Sequence, residues 1–283
     1  MKKRFKIMTE AMKRELQEHR SSFLVFCVLR VLVILVIVRQ FFNGNYENVF
    51  LGILTLLLLF VPSLIQVSFK IELPTTLEII IMLFIFSAEI LGEIHEFYII
   101  IPFWDTILHT LNGFLAAAIG FSMVVLLNDN KKIMFNLSPV FLALVAFCFS
   151  MTIGVVWEFF EFAMDRFFLL DMQKDTVVHT ISSVLLDPKG GNTPYMIENI
   201  GNVMLDGRDL GLGGYLDIGL IDTMKDLLVN FVGAVCFSFI GFFYVKKRGR
   251  GGIVSRFVPS RKSKDRDYLE AVKTEWKKEE GEP

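Results

Sequence analysis

"WDTILHTLNGFLAAAIGFSMVVLL", residues 104–127, decides the fold class. A helix that crosses the hydrocarbon of a bilayer needs about 20 mostly apolar residues. This stretch supplies that length, and its ionisable groups, Asp105 and His109, both stand at its start. Five more segments follow the same rule: 22–42, 47–67, 74–93, 138–164 and 220–245. With 53% hydrophobic residues, the chain reads as all-α, an integral membrane bundle of about six transmembrane helices. An extracytoplasmic cap, residues 165–219, is expected between the last two.

Lysine and arginine orient the bundle. They crowd the N-terminal "MKKRFKIMTEAMKRELQEHR", Lys70, Lys131 and Lys132, and "KKRGRGGIVSRFVPSRK". They are absent from "NGNYEN" and "EIHEFYIIIPFWD". The reading is a cytoplasmic amphipathic segment (1–21), a transmembrane domain (22–245) that includes the loop 165–219, and a cytoplasmic polar tail (246–283). Phe5, Met8, Met12 and Leu16 recur at helical spacing, as in a helix lying on the inner membrane surface and unlike a cleaved signal peptide. Tyr268, Leu269, Val272 and Trp276 fit one short amphipathic helix in an otherwise mobile tail. Cys27, Cys148 and Cys236 all lie in apolar runs, which argues against a disulfide framework or a thiolate zinc site. The bilayer is the expected partner, and no nucleic acid is.

Hydrocarbon solvates charge poorly, so an ionisable group in a membrane helix points to function. "VVWEFFEF", residues 155–162, carries Glu158 and Glu161 in such a run. Asp105 and His109 are four apart, Glu158 and Glu161 three, Asp222 and Asp226 four, so each pair shares a helix face. Glu89, Glu93, His95, Glu96 and Asp165 lie toward the same ends of their helices. Facing helices that each offer such pairs build metal sites in bundles. The expected ligands are Asp105, His109, Glu161, His179 and Asp226. The expected acid–base residues are Glu158, Glu161 and Asp222. Carboxylate with imidazole suits a divalent ion: Zn, Mn, Fe or Mg. Bland readings compete residue by residue, since acids at helix starts also complement the dipole and polar tips snorkel.

Asp175 and His179 repeat the Asp-x-x-x-His spacing on a segment expected to be helical. "DPKGGNTP" is a turn cluster, and the Asp-Gly and Gly-Gly pairs of "IENIGNVMLDGRDLGLGGYLDIGL" suggest a small hairpin or irregular cap. These glycines lack the strand–helix context of a phosphate-binding loop. Gly113, Ala116, Ala117, Ala118 and Gly120, and on the last helix Gly233 and Ala234, let helices approach closely.

The order "WDTILHTLNGF", "WEFFEF", "DTVVHT", "GGYLDIGLIDTMKDLLVNFVGA" resembles the YjdF-like inner-membrane family of bacteria over roughly residues 75–245, and more loosely the VanZ-like proteins. The resemblance implies a multi-pass protein of the bacterial cytoplasmic membrane. It also implies a shared site at Asp105 and His109, Glu158 and Glu161, Asp222 and Asp226, and it implies no settled activity. The residues themselves suggest a metal-dependent hydrolase or transferase acting on a lipid-linked small-molecule or envelope substrate. The alternatives are a proton-coupled transporter and a non-catalytic protein with a structural polar network. Acids do not continue through the other halves of the spans, where Arg30 of the first and Glu78 near the start of the third are noted as exceptions, which favours a one-sided site.

Overall fold

The computed structural model describes residues 2–128, 137–246 and 253–279. Lys131, Lys132 and most of "KKRGR", which served to orient the chain, lie outside the described residues. The described chain divides into two compact units, 1–151 with 230–283, and 152–229.

In the first unit α1 (Lys2–Glu18) leads into α2 (Arg20–Phe42) through His19, whose extended backbone breaks the helix. Asn45 starts α3 (Tyr46–Leu58) by accepting the Asn48 N–H at 3.1 Å. The segment expected as one helix over 47–67 is two, because α3 stops and α4 (Val61–Phe69) begins with Pro62 in its first turn. Proline has no N–H to continue the ladder but suits a first turn. After α5 (Thr75–Phe86) the helix widens to π winding over Ser87–Ile94. Then come α6 (Phe97–Ile100) and α7 (Trp104–Asn128). The unit is completed by the first half of α8 (Pro139–Phe168), the second half of α9 (Leu220–Lys246), and α10 (Tyr268–Glu279).

Among the described residues five helical segments are long and apolar enough to cross a membrane: Arg20–Phe42, Tyr46–Phe69, Trp104–Leu126, Pro139–Phe168 and Leu220–Lys246. Six were expected. The remaining segment, 74–93, is helical but divided between α and π winding. A π turn misaligns backbone groups, and here the Ser87 carbonyl accepts the Trp104 indole N–H at 3.3 Å.

Leu77, Ala117, Ala118, Phe121, Ala146 and Phe237 form one core, and Val33, Leu59, Met82 and Ile90 another. Leu35, Leu57, Phe159 and Phe239 stay exposed, as spans in lipid allow. The two charges noted inside spans are both accommodated. Arg30 lies over the Phe60 and Phe26 rings at 4.8 and 5.3 Å, and Glu78 is buried beside Gln66. The apolar face of α1 rests on protein: Ile7 and Ala11 pack with Val67 of α4 and Val272 of α10. The amphipathic face expected of this helix is thus covered by α4 and by the tail helix. That tail is ordered over 253–279, and a strand at Ser260–Arg261 pairs antiparallel with Ile71–Glu72.

In the second unit the segment after α8 forms three short ladders: Thr176–Val178 with Tyr215–Asp217, Ile181–Ser183 with Tyr195–Ile197, and Met204–Leu205 with Arg208–Asp209. The helix expected after Asp175 is therefore a strand. Thr176, Val177, Val178 and Ile181 are β-branched, and "YLD" supplies a partner edge. The hairpin at Asp206-Gly207 is as expected, with both residues at positive φ (50° and 79°). In the turn cluster, Asp187 accepts the N–H groups of Lys189 and Gly191, each at 2.9 Å.

Candidate functional site

The first turn of α7 presents Asp105, and the next presents His109, only 8% exposed, with Nε2 at 3.5 Å from Asp105 Oδ1. One turn further, a Cβ added to Gly113 would stand 2.1 Å from the Asn230 carbonyl oxygen. A Cβ on Gly233 would stand 2.0 Å from the Thr110 carbonyl. So α7 and α9 meet backbone to backbone, which only glycine permits. At Gly120 an added Cβ would meet the side chain of Phe149 of α8, at 2.7 Å.

Polar groups lock this crossing. Asn230 is wholly buried. Its Oδ1 accepts from Asn112 Nδ2 at 3.3 Å, and its Nδ2 donates to the Ser150 carbonyl at 3.4 Å. Ser150 Oγ donates to the Gly113 carbonyl at 2.7 Å, tying α8 to α7. Asn112, Ser150 and Asn230 were not among the expected residues. The signal available was uncharged polar side chains inside apolar runs, with Asn230 one turn after Asp226.

In the second unit Glu158, Glu161 and Asp226 are buried. Glu161 Oε1 accepts the Trp157 indole N–H at 2.8 Å. Asp165 and Asp222 hold the chain that leaves α8. Asp165 accepts the Met172 and Gln173 N–H groups at 2.6 and 2.8 Å, and Asp222 Oδ2 accepts that of Lys174 at 2.7 Å. Gln173 Nε2 donates to Thr223 Oγ1 at 2.6 Å. His179 is exposed just after the strand Thr176–Val178, where its Nδ1–H donates to the Ile200 carbonyl at 2.9 Å.

Within the first unit Asp105 and His109 share one face of α7, a carboxylate beside an imidazole, groups that suit a borderline or hard divalent ion. Asp226, Glu161 and His179, also expected as ligands, belong to the second unit. The strand geometry explains His179: its spacing from Asp175 does not bring the two together on a helix face.

A family described as "Predicted membrane protein (DUF2238)" matches residues 23–247. No curated protein matches the chain, and no solved structure does. The chain belongs to that family, which is the YjdF-like family whose motif order it carries. The match begins near the start of α2, so the first two spans belong to the family region as well, not only residues 75–245.

Proposed function

We propose that this protein is a divalent-metal-dependent hydrolase or transferase of the bacterial cytoplasmic membrane, acting on a lipid-linked or envelope substrate at the outer membrane face. One observation carries the reading: Asp105 and His109 stand 3.5 Å apart at the start of a helix long and apolar enough to cross a membrane. These two would hold the ion. When bound, such an ion would supply an acidified water and Lewis-acid polarisation of a phosphoryl or carbonyl oxygen. Glu158 and Glu161 would exchange protons with the reacting groups, since buried carboxylates lend themselves to acid–base work near neutral pH. Asp222 would orient the segment at residue 174 rather than react, because its oxygen is committed to a backbone N–H.

The topology reading supports an outward site. Helices α1 and α10 pack on each other, so both termini lie on one side and the crossings are even in number. The five long apolar segments need one more, and the α–π helix 75–94 supplies it. With the basic segments inside, both termini would be cytoplasmic and residues 165–219 the outer cap.

The deciding experiment is metal analysis of protein purified without chelator, native against Asp105→Ala, with thermal melts under added zinc, manganese or magnesium. The expected result is a bound divalent ion lost in the variant and a rise in melting temperature seen only in the native protein. No ion and no response to any of the three would sink the proposal and leave proton-coupled transport as the reading to test.

A further inference from the structure

The end of the first unit that gathers both chain termini contains a second ionic set, remote in sequence from the candidate metal ligands. Most of its pairs are exposed. Arg14 donates two hydrogen bonds to Glu275 at 2.9 and 2.8 Å, and Lys70 Nζ lies 3.0 Å from Asp267 and 3.2 Å from Glu270. Pairs of this kind contribute little net stability in water.

One pair differs. Lys262, next to the tail strand, makes an ion pair with Glu15 of α1, and the two side chains are only 4% and 2% exposed. Glu78 of α5 is buried beside them. Gln66 reaches Glu78 at 3.5 Å through Nε2, and Ser22 and His19 also face it. Glu18 also acts on Glu15, but it is engaged by Tyr268 and, at 3.4 Å, by Arg266. Glu72 takes Arg266 and lies 3.8 Å from His19. Of these groups, the buried ones are two carboxylates and a single ammonium.

Excess buried charge is costly, and a site relieves it by changing its protonation. Glu15, Glu78 and Lys262 balance when one proton is bound. Without the tail, Lys262 is withdrawn, and Glu15, which pairs with it, loses that cover. We infer that docking of residues 257–279 onto α1 and α5 takes up one proton at the Glu15–Glu78–Lys262 set, so that the tail is a proton-linked latch. Acid closes it and base opens it. The direction agrees with Glu15 itself: burial, opposed by Lys262 and aided by Glu78 and Glu18, raises its carboxyl above the ordinary value. A raised carboxyl stabilises the closed form at low pH and loses that contribution as pH rises through its value. The latch is independent of the proposed enzyme activity.

The test uses full-length protein in lipid nanodiscs, with Cys27, Cys148 and Cys236 replaced by alanine and spin labels at Lys6→Cys and Lys277→Cys. Double electron–electron resonance then reads the docked fraction from about pH 5 to about pH 9. The expected result is one short distance at low pH, giving way to a broad distribution, with the docking equilibrium changing by up to about tenfold per pH unit. Glu15→Gln and Glu78→Gln each leave one carboxylate against one ammonium, so each should abolish the pH response while keeping the short distance. Lys262→Met should move opening to lower pH. An unchanged distance distribution across the range, or a pH response that persists in either glutamine variant, would overturn the inference.

Discussion

Single atoms decide the crossing of α7 and α9. A methyl group at Gly113 or Gly233 has no room, because in each case the obstruction is a backbone carbonyl. Gly113→Ala should therefore cost about 1–3 kcal/mol, as overpacking does. Gly201→Ala, where an added Cβ meets nothing within 4 Å, should change the melting temperature little. A thermal melt in one detergent compares the two, and equal melts would contradict the close approach. Asn230→Leu has a different cost, because it removes the partner of Asn112 and of the Ser150 carbonyl in a dry place. A loss of about 1–3 kcal/mol is expected, larger than for the isosteric Asn230→Asp at a pH low enough to keep the aspartate protonated. Glu161→Gln separates two roles. If Glu161 serves metal-dependent chemistry, activity falls while metal occupancy persists. If it only accepts from Trp157, the fold keeps its stability, because glutamine still offers an acceptor.

At the scale of elements, apolar length announced each spanning segment, but local chemistry set how each is wound. Pro62 divides one span into α3 and α4, and the π turn at Ser87–Ile94 gives up the regular ladder and borrows Trp104. The pairing of α1 with α10 was not legible. Both helices show an amphipathic face in sequence, but a face does not name its cover, and lipid or a second helix would serve equally. Val272→Asp places a charge where the side chain is wholly buried against α1. It should free α10, and limited trypsin digestion should then remove the tail several-fold faster than from native protein. Equal digestion rates would mean that the α1–α10 contact does not hold the tail.

For the whole molecule, a cysteine at Ser183 in the ladder segment should react with an impermeant thiol reagent in intact cells, if the termini are cytoplasmic. Labelling only after permeabilisation would invert the bundle and move the proposed site to the cytoplasmic face. The sequence by itself determined the class of fold, because hydrocarbon demands long apolar helices and the chain has little else between residues 20 and 168. It also marked Asp105, His109, Glu158, Glu161, His179, Asp222 and Asp226 as candidates, since ionisable groups in membrane helices are costly. It determined as well that Gly113 and Gly233 lie at a close approach, because glycine in an apolar helix sacrifices stability for contact. Tertiary structure alone decided how α7, α8 and α9 meet in the first unit. Helical spacing is a property of one helix, while a crossing depends on its partner, and here Asn112, Ser150 and Asn230, neutral residues that no charge pattern reveals, join the three. The strand Thr176–Val178, just before His179, was likewise decided by a partner edge at Tyr215–Asp217, some forty residues away in sequence, which local propensity cannot report.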